Sequence, residues 1–337
     1  MVFVECMTFN HHAYIEDAMN GFCMQETNFP FVCVIVDDAS TDGEPEVIKR
    51  YFDDHFDLSE SSETDDYVMT FGQHKTNKNC YFVILYLKYN HYSIKKDKTP
   101  YYARWRDNSK YIALCEGDDY WIAKDKLQMQ VDFLEKNEEY YACCHQSLAI
   151  RPNKETLSFM WNENMSNDHD IIKLGGYINF PATASYFFKN PNSSQNQSEK
   201  SIKNYAMTTG WDKSLVLFFF SMGKVRYFSQ LMSCYRVNSG GNIMALRWKN
   251  NMTETLEKNE QDMLRQVKEY GLKEDIRPHY YRNALFYSIR FWWNDKTKEN
   301  FKWIKYVLKR TPNKILGFIY ICKLTAASIY HWIKDTK

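Results

Sequence analysis

The stretch Tyr111-Ile112-Ala113-Leu114-Cys115-Glu116-Gly117-Asp118-Asp119-Tyr120-Trp121 constrains the fold more than any other part of the chain. An apolar run passes at once into an acidic cluster. A near-continuous apolar run is how a parallel strand buried on both faces is written. In open α/β sheets, ligands sit just outside the carboxyl ends of such strands. Glu116, Asp118 and Asp119 would repel one another there unless a cation or a set of donors gathers them. These letters alone admit two readings, a divalent-metal site at a strand end or an acidic surface turn.

The chain before this stretch alternates in the same way. Val2 to Met7 reads as a strand, and Tyr14 to Cys23 as a helix with Ile15, Ala18, Met19 and Phe22 at helical spacing. Phe29 to Val36 is a second β-branched run, ending in Asp37-Asp38-Ala39-Ser40-Thr41-Asp42-Gly43 before a helix over Glu44 to Phe56. Strands and helices alternating at this spacing indicate βαβ units and a parallel sheet. Right-handed crossovers bring the loops after each strand to one edge, so the two acidic clusters are expected there together. Residues 57–68 read as a solvated acidic loop and Val68 to Phe71 as a short strand. From Asn77 to Asp107 the pattern is less regular, with an aromatic run over Tyr81 to Tyr89. A charged break at Lys95 to Pro100 then interrupts a region read as helical.

Beyond Trp121, Lys124 to Lys136 is an amphipathic helix, and Tyr140 to Ile150 and Val225 to Tyr235 are strand patterns. Asn190 to Lys203 is a polar loop. Asp212 precedes an apolar helix over Leu215 to Met222, where an aspartate is by default a helix cap. Thr253 to Tyr270 and Pro278 to Trp293 read as helices. The expected division is a first domain over 1–245 and a helical region over 246–337.

Lys plus Arg is 43 against Asp plus Glu 42, a net charge of +1, so no global basic field argues for nucleic acid. The nine cysteines are irregularly spaced without a CxxC pair, which favours a reducing compartment, and no signal-peptide pattern opens the chain, so a cytoplasmic location is expected. Cys143-Cys144-His145 is a poor zinc set, because neighbouring strand residues point to opposite faces. Ile315 to Ile333 is apolar but carries Lys323. It therefore reads as a docking helix or a peripheral anchor on the inner membrane face rather than a span.

No glycine-rich GxGxxG or GxxxxGK[ST] loop is present, so a nucleotide diphosphate here would need another counter-charge. A metal held by Asp118 and Asp119 would supply it. At this point Thr8-Phe9-Asn10, Val36-Asp37-Asp38-Ala39-Ser40-Thr41-Asp42-Gly43 and Glu116-Gly117-Asp118-Asp119-Tyr120-Trp121, followed by Lys126-Leu127-Gln128, resemble the ordered motifs of family 2 glycosyltransferases. The resemblance covers roughly residues 1–245. It implies the GT-A fold: an α/β, mostly parallel sheet that binds a nucleotide-diphospho-sugar and is flanked by helices, here with a helical C-terminal extension. It also implies inverting transfer of a sugar, a Mn²⁺ or Mg²⁺ cofactor, a nucleotide-sugar donor (UDP-sugar favoured) and a saccharide or lipid-linked acceptor of cell-surface polysaccharide or glycolipid synthesis.

Carried over residue by residue, Thr8 and Asn10 would lie by the nucleotide and Asp38 would accept from base or ribose, supported by Asp37. Asp118 would bind ribose and metal, Asp119 the metal, with Glu116 beside them, and Asp212 would be the general base. Arg236 is a candidate for assisting at the phosphates. Processive members carry a Gln-x-x-Arg-Trp motif, whereas here Met244 precedes Arg247-Trp248, which favours transfer of a single sugar. Two other classes are weighed beside this one. A nucleotidyltransferase normally needs a basic, glycine-rich phosphate loop, which is missing. A non-catalytic nucleotide-sugar-binding scaffold is disfavoured by the intact carboxylates.

Overall fold

The computed structural model describes residues 1–150, 158, 159, 181–193, 211–237, 252–272 and, with interruptions, 277–322. The chain divides into two compact units, residues 1–170 with 181–206 and 218–243, and residues 171–180 with 207–217 and 244–337.

The first unit is an α/β structure built on β1 (Val2–Thr8), β2 (Phe31–Asp37), β5 (Cys80–Leu87) and β6 (Tyr111–Leu114). These four strands are parallel, in the spatial order β5-β2-β1-β6. They are buried almost throughout, which is why their sequences are unbroken apolar runs rather than alternating ones. Helices α1 (Ile15–Cys23) and α2 (Glu44–His55) cover one face. Ile15, Ala18, Met19 and Phe22 of α1, and Val47, Ile48, Tyr51 and Phe52 of α2, pack with Val4, Cys6, Cys33, Ile35 and Phe82 into one core. Helix α3 (Thr99–Arg106) meets the opposite face, where Tyr102 stacks on Phe3. The order therefore reverses between β1 and β6, and the loops leaving these two strands lie side by side at that reversal.

Antiparallel strands widen the sheet on both sides. The hairpin β3 (Phe56–Glu63) and β4 (Tyr67–His74) joins at β5. On the other side β10 (Phe187–Lys189) links β6 to β8 (Tyr140–Ile150). Strand β11 (Lys224–Arg236) runs parallel to β8, and its far end pairs antiparallel with β7 (Tyr120–Trp121). The short β9 (Ser158–Phe159) pairs with β8. Helix α4 (Lys126–Lys136) contributes Leu127, Val131 and Leu134 to the α1/α2 core.

Three expectations differ from this architecture. Residues 57–68, read as a solvated loop, contain β3. It is an edge strand exposed over all but Phe56, and its Asp, Glu and Ser residues keep an open edge soluble while erasing any apolar period. The aromatic run placed in an interrupted helical region is the buried β5, and only Thr99–Arg106 of that region is helical. A short apolar run cannot be assigned by periodicity alone. Asn190, read as the start of a polar loop, is buried, and its amide donates to the Arg106 and Ser109 carbonyls at 2.6 and 2.8 Å. Residues 194–203 of that loop, and Met244, Arg247 and Trp248, lie outside the described residues.

Helix α5 (Trp211–Met222) begins before the expected Leu215, so Asp212 falls inside its first turn rather than ahead of it. Within the first unit its end is aromatic, with Phe219 against Phe188 and Tyr186. The second unit is helical where described and contains α6 (Met252–Glu269) and α7 (Lys298–Arg310). Glu260 of α6 accepts from Tyr281 and pairs with Arg310 of α7 at 3.3 Å. No helix among the described residues is long and apolar enough to cross a membrane.

Candidate functional site

Three loops meet at the carboxyl edge of the parallel strands, after β1, β2 and β6. Their hub is Glu44, the first residue of α2, which is fully buried. Its Oε2 accepts from the His11 backbone N–H at 2.8 Å and from the Ser40 hydroxyl at 2.8 Å, and its Oε1 accepts from the Thr8 hydroxyl. One carboxylate thus ties the loop after β1 to the loop after β2. The Ser40 hydroxyl also accepts from the Asn10 N–H at 2.8 Å, and the Asn10 side-chain oxygen accepts from the Thr41 N–H at 2.8 Å. This double clasp holds Asn10 at φ 57°, a left-handed conformation that asparagine tolerates better than most residues. Sequence reading placed Glu44 only at the start of a helix and gave it no role at the site.

The acidic loop after β6 lies directly against the first of these loops. The Gly117 N–H donates to the Met7 carbonyl at 3.0 Å. A Cβ on Gly117 would stand 2.1 Å from Thr8 Oγ1 and 2.6 Å from Thr8 Cβ, so no side chain fits there. Asp118 follows, partly exposed, with its Oδ2 3.9 Å from His11 Nε2. Asp119 turns inward and is buried, and its Oδ1 accepts from the Arg236 backbone N–H at 2.9 Å. Burial raises the Asp119 carboxyl well above the usual carboxylate range, the charges of Asp118 and Glu116 add to this, and Arg236 partly opposes it.

Arg236, at the end of β11, is where its sequence context placed it only as a candidate. Its guanidinium sits between the rings of Tyr14 and Tyr120, 4.8 and 4.5 Å from their centroids. It donates to the Asp118 carbonyl at 2.7 Å and pairs with Asp17. A planar cation with several donors is suited to this sandwich, and lysine would not reproduce it.

The two aspartates after β2 have different surroundings. Asp37 is buried and accepts from the Ser40 N–H at 3.2 Å. Its carboxyl is pushed up to about 6, chiefly by burial, with Glu44 and Asp38 adding to the rise and the Ser40 hydrogen bonds opposing it. Asp38 is committed to three donors: the His91 N–H at 2.7 Å, the Tyr92 N–H at 3.0 Å and Lys98 Nζ at 2.7 Å. It therefore fastens the segment after β5 to the site. These partners lie more than fifty residues downstream, which no local pattern signals.

The structure thus brings Thr8, Asn10, Asp37, Asp38, Asp118 and Asp119 to one edge. The side chain of Asp212 lies outside the described residues. Among the described residues no three His, Cys, Asp or Glu side chains converge as a complete metal cage. Asp118 is the partly exposed carboxylate of the acidic loop, while Asp119 is buried and bound to Arg236. That donor set fits a cation of the Mg²⁺ class, which is held by one or two carboxylates and completes its shell with substrate phosphates and water.

Below the acidic loop, Lys126 is fully buried at the start of α4. Its Nζ lies 4.0 Å from the Trp121 ring centroid and donates to Gln130 Oε1 at 2.8 Å. Burial lowers its ammonium to about 7. Trp121 in turn donates to the Ala184 carbonyl at 2.8 Å. The letters that follow the acidic cluster are therefore its foundation rather than part of its open face.

No protein-family model matches the chain. It is 27% identical over 171 residues to the uncharacterised proteins Mb1547 of Mycobacterium bovis and Rv1520 of Mycobacterium tuberculosis, a match covering 48% of this chain and 40% of each relative. The chain thus spans less than half the length of these relatives. Among solved structures, it is similar to Staphylococcus aureus TarS 1–349 in complex with UDP, with 13% identity, 85% of this chain and 79% of that one covered and a TM-score of 0.44. The TarS complex with UDP-GlcNAc gives 12% identity, coverage of 85% and 80% and a TM-score of 0.45. The mannosyltransferase PcManGT of Pyrobaculum calidifontis, in complex with GDP-Man and Mn²⁺, gives 13% identity, coverage of 98% and 75% and a TM-score of 0.44.

Proposed function

We propose that the chain is a glycosyltransferase of the GT-A type that transfers one sugar, with inversion, from a nucleotide-diphosphate sugar to an acceptor hydroxyl. The observation that carries this reading is the meeting of three motif loops, around Thr8–Asn10, Asp37–Asp42 and Glu116–Asp119, at the strand-order reversal between β1 and β6. Such a reversal, at the carboxyl ends of the strands, is where open α/β sheets bind nucleotides. The motifs occur in the order family 2 transferases use, and residues 1–245 would form the transferase domain, with 246–337 a helical region.

The donor nucleotide would lie across the loops held by Glu44, with Thr8, Asn10, Asp37 and Asp38 shaping its seat. Asp38 would act by fixing the segment from His91 to Lys98 against that seat, since its carboxylate already serves three donors. Asp118, with Asp119 behind it, would hold a divalent cation, which when bound offsets the charge of the diphosphate leaving group. Arg236 keeps the acidic loop closed through the Asp118 carbonyl and the Asp119 carboxylate. Inverting transfer is a single displacement: the acceptor oxygen bonds to the anomeric carbon as the bond to the diphosphate oxygen breaks. One carboxylate must take the acceptor proton, and Asp212 is the residue proposed for it. Acceptors of the saccharide or lipid-linked class, in cell-surface polysaccharide or glycolipid synthesis in the cytoplasm, follow from the same resemblance.

The test is release of nucleoside diphosphate from a panel of UDP-, GDP- and dTDP-sugars, with and without Mn²⁺. The reading expects metal-dependent turnover that falls by orders of magnitude in Asp118→Asn and Asp119→Asn. Full transfer by Asp212→Asn would remove that residue as the base. Nucleotide binding without turnover on any donor would mark the chain as a binding protein instead.

A further inference from the structure

The second unit ends in a surface that the transferase reading does not use. Between residues 296 and 314 the chain carries seven Lys or Arg and one Glu, although its overall charge is only +1. The excess is concentrated on α7, where Trp303, Ile304 and Val307 face inward and Lys298, Phe301, Lys302, Lys305 and Lys309 are exposed. These exposed positions recur every three or four residues, so they form one stripe along the helix. Phe301 is 44% exposed within it, and Lys305 Nζ lies 5.1 Å from its ring centroid.

Beyond α7, Lys314, Ile315, Gly317 and Ile319 are helical. A Cβ on Gly317 would lie 3.2 Å from Thr311 Cγ2 and 3.4 Å from Leu308 Cδ2, so Gly317 packs closely against the end of α7. Ile315 and Ile319, one helical turn apart, are 75% and 42% exposed. With Phe301 they put three exposed large apolar side chains into this strongly basic stretch of the sequence. Basic residues with aromatic and branched apolar side chains among them match the interface of an anionic bilayer, where the apolar groups enter the acyl boundary and the ammonium groups stay among the headgroups.

We propose that α7, with Ile315 and Ile319 beyond it, forms a docking surface for an anionic lipid membrane. The charge is complementary, and each Lys near such a surface adds a similar increment of attraction. The surface lies N-terminal to most of the segment 315–333 that composition alone suggested, and α7 rather than that segment supplies its charge.

The experiment is flotation of the purified full chain with phosphatidylcholine vesicles, with or without phosphatidylglycerol. Binding is expected to the anionic vesicles only and to weaken steeply as salt rises above about 0.1 M, where the screening length falls below about 10 Å. The triple substitution Lys302→Gln, Lys305→Gln and Lys309→Gln is expected to weaken partition about 10²-fold. The pair Ile315→Ser and Ile319→Ser should weaken it at least tenfold and leave the salt dependence in place, by roughly the loss of two apolar side chains from the interface. Circular dichroism checks that each variant is folded. Equal partition onto neutral and anionic vesicles, or wild-type partition by both folded variants, would overturn the proposal. So would a dimer in solution that the isoleucine variants dissociate. The assay contains no nucleotide, so its failure leaves the transferase reading standing.

Discussion

Replacing Glu44 is the sharpest test of how the site is assembled. Its carboxylate accepts from the Thr8 hydroxyl, the His11 N–H and the Ser40 hydroxyl, and it is fully buried. Hydrogen bonds to a charged group contribute about 1.5–3 kcal/mol each. In Glu44→Ala the two hydroxyls can rotate toward other partners, but the His11 N–H is fixed by the backbone and would be left unpaired at about 1–3 kcal/mol. Allowing for that partial rescue, the loss should be about 3–5 kcal/mol, a large share of the roughly 5–15 kcal/mol that holds a typical domain together. Glu44→Gln keeps one acceptor but turns an amide donor toward donors, and should lose about 1–2 kcal/mol. Urea unfolding followed by tryptophan fluorescence measures both. At a denaturant slope of about 3 kcal/mol/M, the alanine variant's midpoint should fall by about 1–1.7 M. Amide exchange should accelerate at His11, Asn10 and Thr41 ahead of the core strands. An alanine variant within about 0.5 kcal/mol of wild type, with unchanged exchange at His11, would show that something other than Glu44 joins the two loops.

Two further outcomes follow from neighbouring geometry. Gly117→Ala drives a methyl group to within 2.6 Å of Thr8 Cβ, so the acidic loop must shift. The cost should be about 1–3 kcal/mol by calorimetric unfolding, together with weaker nucleotide binding, and an unperturbed variant would refute the close approach. Lys126 carries a pH signature, because burial lowers its ammonium from 10.5 to about 7. A depressed pKa contributes stability above the unfolded value that is lost as pH falls toward the folded one. Relative to Lys126→Met, wild type should therefore lose stability from pH 10.5 down to about 7, by on the order of 1 kcal/mol per unit, and run parallel below that. Parallel stability profiles across that whole window would show that the amine is solvated.

The parallel heart of the fold was legible because β2 and β6 are uninterrupted apolar runs, each ending in carboxylates and alternating with helical patterns, as strands buried on both faces are written. The loops that carry the motifs were legible for the same reason. What escaped was set by long-range partners. Strand β3 is recognisable only through its pairing with β4, since its own residues are those of a solvated loop. Asp38 could be placed at the site, but the donors from His91, Tyr92 and Lys98 that decide its role arrive from another loop. Arg236 could be picked as a candidate cation, but the Asp118 carbonyl it closes upon stands 118 residues away and no local pattern signals it. Glu44 was hidden differently: its helix position was evident, while its reach across two loops was not.

The central claim is that the edge formed by Thr8–Asn10, Asp37–Asp42 and Glu116–Asp119 seats a nucleoside diphosphate with the help of a cation held by Asp118. Titration calorimetry of UDP and GDP into the full chain, with and without Mn²⁺, addresses it directly. The account predicts that one of these nucleotides binds, that Mn²⁺ tightens it at least tenfold, and that Asp118→Asn abolishes the tightening while leaving the fold intact. No binding of either nucleotide, or binding indifferent to both Mn²⁺ and Asp118, would contradict it.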